Sequence, residues 1–364
     1  MSQINVDAIR ASNGTGDAIS LTASDKTCTA NITNNLSNRN LIINGAMNVA
    51  QRGTSSTTNG YGSVDRFSVK YSGLDEAPTH AQVDVASGTT PYTLGFRKAL
   101  KITNGNQTSG AGAADWMELG YKIEAQDIAN SGWNYLSTSS YITLSYWVKS
   151  SVAQTFYGYM FNRDGTIRSY PWSTGSLSAD TWTKVTKTIP GYTGLQFDNN
   201  NGAGLEIYFP LFNGTDMTNN SRSLNTWATH DGAAQTPDQT STWYTTNDAT
   251  FEITGVQLEV GDYATDFEHK KYADDYKECC RYYYKPTASG NGNDYTYAGD
   301  YGGSDCFVII DYFTPMRVIP TLTANGYANN SYNYASYTNK ERFQLIFDTI
   351  VSGWIHGAQL DAEL

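Results

Sequence analysis

Cysteine, histidine and charge are all scarce in this sequence, and no long apolar run occurs. Four cysteines in 364 residues cannot make a disulfide framework. Cys279 and Cys280 are neighbours, where a disulfide would strain the backbone, so free thiols packed as small core residues are expected. No CxxC pair and no histidine beside a cysteine suggests a zinc site. The four histidines, His80, His230, His269 and His356, are scattered, and HExxH, GxSxG and a phosphate-cradling P-loop are all missing. No apolar run approaches the roughly 20 residues that cross a bilayer, so no membrane partner is expected. Charged residues make up 16%, below the roughly 25% of ordinary soluble domains. The net charge is −11, with no dense Lys/Arg run, which argues against a nucleic-acid partner. The start, MSQINVDAIR, lacks a basic region followed by an apolar stretch, so folding in a cytoplasm is expected, even for a protein that works outside a cell.

Gly, Ser, Thr and Asn stand where charge is missing, and aromatics reach 13%. That mixture favours strands and turns over long exposed helices. Residues 38–268 read as an all-β unit, a jelly-roll sandwich. In YITLSYWVKS, Ile142, Leu144, Tyr146 and Val148 alternate with Thr143, Ser145, Trp147 and Lys149. NLIINGAMNVAQRG and VDRFSVKY supply early strands, TWTKVTKTI alternates more weakly, and LEIYFPLF is a nearly continuous apolar run. In TFEITGVQLEV the apolar parity shifts by one at Gly255, as a β-bulge requires. Many short strands with Gly/Asn/Ser turns and no βαβ alternation imply a sandwich.

From Glu268 the period changes. Tyr272, Tyr276, Cys279 and Tyr283 fall on one stripe of an expected helix over 269–285, with Lys270–Asp274 and Lys271–Asp275 paired on the other side and Pro286 ending it. Residues 286–364 form a distal β domain with strands at CFVIIDYF, PMRVIPTLTANG and RFQLIFDTI; the run from Trp354 through His356, Ala358, Leu360 and Ala362 to Leu364 keeps one parity. Two Gly/Asn/Tyr-rich stretches, GNGNDYTYAGDYGG and GYANNSYNYASYTNK, read as exposed loops. Residues 1–37 contain one small hairpin, with Ile4, Val6, Ile9, Ile19 and Leu21 as its apolar positions. A lone hairpin buries too little surface to stand by itself, so these residues are expected to dock on a partner.

Four stretches in register, NLIINGAMNVAQRG…YGSVDRFSV, ITGVQLEVG..ATDFEHKKYADDYKECCRYYYK, MRVIPTLT and DAEL, resemble tail fibre and tail structural proteins of bacteriophages, notably those of marine and cyanobacterial hosts. The resemblance covers about residues 39–364. It implies a homotrimer mounted on a phage tail or baseplate protein through residues 1–37, a location in the virion tail, and contact with a host surface polysaccharide or receptor. The sandwich also resembles jelly-roll carbohydrate-binding modules, whose first and last strands help to hold a calcium. At the matching positions this chain has Asn44-Gly45-Ala46-Met47-Asn48 and Thr254-Gly255-Val256-Gln257-Leu258. Asn48, Thr254 and Gly255 replace the acidic residues, so no cofactor is expected, and calcium only through backbone carbonyls.

Sugar binding needs aromatic faces beside polar groups. The expected host-contact residues are Tyr295, Tyr297, Tyr301, Tyr332, Tyr334, Tyr337 and Trp172, with Trp227 and Trp243 in similar surroundings. Glycosidases need only two carboxylates; Asp115 and Glu118 in ADWMELG, or Asp164 in NRDGT, carry no distinguishing mark, and NRDGT reads as a hairpin turn. The expected function is therefore a non-enzymatic, trimeric tail fibre protein. A purely structural tail component, a free sugar-binding protein and a polysaccharide-cleaving spike are the rivals.

Overall fold

The computed structural model of the chain describes residues 8–10, 17–22, 27–30, 39–286, 295–297, 305–323, 326–327, 332–334, 339–348, 353–356 and 358–364. Its strands and short helices are, in order, β1 Ala8–Arg10, β2 Asp17–Thr22, β3 Thr27–Ala30, β4 Ser55–Ser56, β5 Phe67–Ser72, β6 Thr79–Asp84, α1 Thr90–Thr93, β7 Lys98–Thr103, β8 Trp116–Glu124, α2 Ala125–Ala129, β9 Tyr141–Ser150, β10 Thr155–Asn162, β11 Arg168–Ser176, β12 Thr183–Pro190, β13 Ala203–Asn213, β14 Ala228–Thr229, α3 Thr242–Thr245 and β15 Thr250–Val260. After them come α4 Tyr272–Cys279, β16 Tyr283–Tyr284, β17 Tyr295–Tyr297, β18 Asp305–Asp311, β19 Thr321–Thr323, β20 Gly326–Tyr327, β21 Tyr332–Tyr334, β22 Arg342–Asp348, β23 Gly353–His356 and β24 Gln359–Asp361.

Among the described residues, two six-stranded sheets make the body. The front sheet has the order β14-β11-β10-β13-β8-β5 and the back sheet β12-β9-β15-β7-β6-β4. The chain crosses repeatedly between them: β9 lies at the back, β10 and β11 at the front, β12 at the back, β13 and β14 at the front, β15 at the back. That shuttle makes a jelly-roll sandwich. Period-2 alternation decides which side chains enter it. Ile142, Leu144, Tyr146 and Val148 of β9 are buried in the core against Leu119, Ile207, Phe209 and Met160 of the front sheet. Each such side chain contributes roughly 1.5–3 kcal/mol by leaving water.

The β-bulge expected at Gly255 is present. The pairing of β15 with β9 shifts between Thr254 and Gln257, and Gly255 has φ +63°. The Asn162–Arg168 hairpin is present too, with Asn162 Nδ2 on the Thr166 carbonyl at 3.3 Å and Oδ1 accepting from the Arg168 amide at 2.7 Å. NLIINGAMNVAQRG, by contrast, is not a strand pair. Asn44 and Met47 both take φ 60°, and the Asn44 side chain bonds Val49 at both backbone groups and the Asp65 carbonyl. An asparagine that supplies its own backbone partners makes a compact turn where the apolar pattern suggested a ladder.

The expected helix over 269–285 is shorter. Helix α4 spans Tyr272–Cys279, and Tyr283 and Tyr284 instead pair in β16 with Asp361 and Leu360 of β24. Tyr272 is exposed and stacks on Tyr276, whereas Asp275 is buried beside Asn48. Lys270 pairs with Glu278 at 2.8 Å, not with Asp274. Tyrosine favours strands, and a strand partner overrode the helical stripe. Cys279 and Cys280 are free and buried, and burial pushes the Cys280 thiol up to about 12. Cys280, Tyr284, Met316, Leu322, Phe343, Ala358, Leu360 and Ala362 form a second small core.

Residues 8–30 hold a three-stranded antiparallel sheet, β1-β2-β3, one strand more than the single hairpin expected. Ile9 and Ile19 are paired across β1 and β2, and Leu21 lies opposite Cys28; Ile4 and Val6 fall outside the described residues. Among the described residues, no helix is long and apolar enough to cross a membrane, and no group of three His, Cys, Asp or Glu side chains is placed to hold a metal. At the positions compared with a calcium site, Gly45 O accepts from the Val256 amide at 2.9 Å and Thr254 Oγ1 donates to Lys98 O at 2.7 Å.

The sandwich, α4 and the last described residues meet at Arg66. Its guanidinium is fully buried and pairs with Glu363, donates to Lys122 O at 2.6 Å and lies 3.4 Å over the Tyr282 ring. Beside it, Arg52 reaches Asp361 at 3.0 Å and Glu363 at 3.3 Å and lies 3.6 Å over Tyr283. Arg281 grips both oxygens of Glu124 at 2.7 Å, and Tyr282 Oη donates to Glu124 Oε1 at 2.7 Å. Arg317 donates to the carbonyls of Ala362, Glu363 and Asn201. Arg52, Arg66, Arg281, Tyr282, Arg317, Asp361 and Glu363 all belong to the four stretches quoted for the resemblance, so those stretches build one joint.

Removing one partner of a buried ion pair leaves an uncompensated charge. Glu363→Gln is expected to cost about 3–5 kcal/mol in urea unfolding. Asp361→Asn, whose side chain is 46% exposed, is expected to cost under about 1 kcal/mol. Equal costs would contradict this ranking. Burial also pushes the Asp65 carboxyl up to about 6, against hydrogen bonds from Gln51 and the charge of Arg52. The folded state therefore holds this proton more tightly than the unfolded chain. The stability gained from that proton is full below pH ~4 and is lost as pH rises through about 6. Carbon-13 NMR of Asp65 should show a midpoint near 6, and a midpoint below 4 would contradict the assignment.

Candidate functional site

The outer face of the front sheet carries a buried layer of aromatic and acidic side chains bordered by basic ones. On β8, Met117, Leu119, Tyr121 and Ile123 fill the core, so Glu118, Gly120 and Lys122 take the other face. The same alternation puts Glu206 and Tyr208 of β13, and Tyr157, Tyr159 and Phe161 of β10, on that face. Cross-strand register then makes two rows: Ser68, Gly120, Tyr208 and Tyr159, and beside them Lys122, Glu206 and Phe161.

Three rings stand parallel like slats. Tyr159 and Tyr208 have centroids 5.3 Å apart, and Phe161 and Tyr208 5.7 Å apart, with interplanar angles of 19° and 8°. His230 stacks on the far side of Phe161 at 4.9 Å. A side chain at Gly120 would strike Tyr208 at 2.9 Å, so the absent Cβ gives that ring its place. The three rings are themselves buried and form a small cluster with Ile167 packed against it.

Two carboxylates sit among them. Glu118 Oε1 accepts from Tyr159 Oη at 2.8 Å and Asn213 Nδ2 at 2.9 Å. Burial raises the Glu118 carboxyl above its ordinary range, with those two hydrogen bonds and the Lys70 charge opposing it. Glu206 accepts from Tyr208 Oη at 2.7 Å and pairs with Arg163 at 3.1 Å and Lys122 at 3.4 Å. Burial and then Arg222 lower the His230 imidazole, which favours its neutral form. Asn213 Oδ1 and His230 Nδ1 are buried without a hydrogen-bond partner among the described residues. The two carboxylates are buried and already engaged, so what this face offers to the outside is exposed Arg163 with half-buried Lys70, Lys122 and His230 around a buried aromatic and acidic layer.

The residues expected to contact a ligand lie elsewhere. Trp172 is fully buried: it points into the sandwich over Gly158, where a side chain would lie 2.4 Å from the indole, and its Nε1 donates to Tyr146 Oη at 3.1 Å. It is a core residue, as are Trp227 and Trp243. Tyr295 and Tyr297 lie on β17 paired with β23, and Tyr332 and Tyr334 on β21 paired with β22. Their segments are short strands where loops were expected, because Tyr-x-Tyr is itself a period-2 pattern. The two pairs belong to different sheets. Tyr301 and Tyr337 fall outside the described residues. Asp115 accepts from Tyr244 Oη at 3.1 Å and the Gly112 amide at 2.7 Å, and so braces a loop.

The slat of aromatics was missed in the sequence. The alternation Tyr157, Tyr159, Phe161 in TFYGYMFN was its available signal.

No family model matches the chain, and no curated protein matches it. Among solved structures, it is similar to the enzymatically active domain of tailspike protein 4 of bacteriophage CBA120, at 12% identity over 61% of this chain with TM-score 0.31; the match spans only 22% of that tailspike chain. It is also similar to the family 11 carbohydrate-binding module of a Clostridium thermocellum cellulosomal cellulase, at 12% identity over 60% of this chain and 98% of that one, TM-score 0.27. The N-terminal cellulose-binding domain of Cellulomonas fimi β-1,4-glucanase C matches at 12% identity over 59% of this chain and all of that one, TM-score 0.28. At such low scores, the jelly-roll assignment rests on this chain's own strand order.

Proposed function

We propose that this protein binds a host surface glycan without cleaving it, as one of three identical subunits of a phage tail fibre mounted through residues 1–37. The observation that carries the reading is the front face of the sandwich, where exposed Arg163 and half-buried Lys70, Lys122 and Tyr157 border a buried layer of rings and carboxylates. Sugars are recognised by such mixtures of apolar surface and paired donors and acceptors. Repetition supplies the strength. Weak sites held on one rigid assembly raise avidity without new contacts.

The non-enzymatic reading has support in how the two carboxylates are held. Both are buried, Glu118 under hydrogen bonds from Tyr159 and Asn213, and Glu206 under one from Tyr208 and the charges of Arg163 and Lys122. A glycosidase needs its pair open to substrate and water. The polysaccharide-cleaving spike is the second reading, and the carboxylates on this face are its reason.

Calorimetric titration with host polysaccharide tests the first part. Binding is expected, and Arg163→Ala should weaken it about tenfold while the protein stays folded, because Lys122 still pairs with buried Glu206. Unaltered affinity in that variant would remove the front face from the account. The polysaccharide should keep its chain length after incubation, and shortening would establish the rival. Sedimentation equilibrium should give three chains per particle, and a single chain at high concentration would contradict the fibre.

A further inference from the structure

The back sheet carries a second concavity, built around the bulge at Gly255. A Cβ at that position would lie 2.6 Å from the Phe96 ring, so the glycine admits Phe96. Phe96, Phe267 and His269 then pack as a triad with centroids 4.9–5.0 Å apart, and His269 Nε2 bonds Leu94 O at 2.8 Å. Trp147 of β9 also lines the cleft, and its cross-strand partner on β12 is Lys184. The cleft has a volume of about 340 Å³, with Ser145, Lys184 and Asp266 also lining it. Phe96 is almost fully buried and fixes the floor, whereas Trp147 and Phe267 are half-buried and keep ring surface open.

Three features select a ligand class. Half-open aromatic rings suit the C–H face of a sugar. A hydroxyl, an ammonium and a carboxylate supply donors and acceptors, and the two exposed charges, Lys184 and Asp266, cancel. The volume sits at the low end of small-molecule sites, roughly 300–1,000 Å³, which suits one ring better than a chain.

We propose that the Trp147 cleft is a separate binding site for one neutral hexopyranose unit, with Lys184, Ser145 and Asp266 taking its hydroxyls. It deepens the glycan-binding reading in ligand class but lies on the other sheet. Two probes keep the two apart: methyl glycosides of glucose, galactose and mannose for this cleft, and long host oligosaccharides for the front face.

Tryptophan fluorescence and saturation-transfer NMR on the full chain give the readout. At least one methyl hexoside is expected to bind. Trp147→Ala should abolish that binding. Lys184→Ala, at an exposed position that does not threaten folding, should weaken it about tenfold. The assignment is overturned if no methyl hexoside binds, if Lys184→Ala binds as the native protein does, or if methyl glucuronide binds more tightly than methyl glucoside. Oligosaccharide binding without hexoside binding would remove this cleft and leave the front face standing. Hexoside binding without oligosaccharide binding would do the reverse.

Discussion

A guanidinium with no access to water governs this molecule. Arg66 is fully buried and holds a left-handed backbone, φ +74°, that a bulky residue rarely adopts. Such a backbone costs about 1–3 kcal/mol, and desolvating the charge costs several more. The surroundings offset both. Glu363 supplies the counter-charge, Lys122 O accepts a hydrogen bond, and the Tyr282 ring presents its electron-rich face at 3.4 Å. These partners come from three places in the sequence. The buried charge is tolerable only when β8, the residues after α4 and the residues following the strand at Leu360 are all in place. The order therefore propagates from one side chain to the relation between the sandwich and its appendage.

That joint leaves both sheet faces to do other things. The front face sets exposed Arg163 and half-buried Lys122 over a buried layer of rings and carboxylates, while the back face opens a cleft at a bulge. Lys122 links the two levels. Its carbonyl serves Arg66 and its ammonium pairs with Glu206 on the front face. The proposed binding surface, on strands braced in this way, is held more closely than one on loops would be. Rigid presentation is what the proposed multivalent contact needs, because flexible linkage lowers the effective concentration of the second site.

Much of the architecture was legible in the sequence. The alternation in YITLSYWVKS, the parity slip at Gly255 and the turn at Asn162–Arg168 each follow from a local rule, and each is present. The helix was overextended because Tyr283 and Tyr284 fit its stripe. Their strand partner, Leu360–Asp361, is 76 residues or more away in sequence, and no local pattern announces it. Trp172 was misplaced for a related reason. The Ser/Thr/Asn-rich sequence around it reads as a loop, whereas Gly158 on the neighbouring strand opens room for the indole inside. The aromatic face escaped because LEIYFPLF looks uniformly apolar. Alternation separates Ile207 from Glu206 and Tyr208, but only the pairing of β13 with β8 and β10 sets Tyr208 beside Gly120 and Tyr159. Side-chain direction is readable along one strand, but which rows line up across a sheet is a long-range matter.

Differential scanning calorimetry tests the dependence on Arg66 most directly. If the sandwich, α4 and the residues around Leu360 form one cooperative unit, residues 39–364 should unfold in a single transition, with calorimetric and van't Hoff enthalpies in agreement. Two resolved transitions, with the second core around Leu360 melting apart from the sandwich, would show that the buried ion pair does not bind them together.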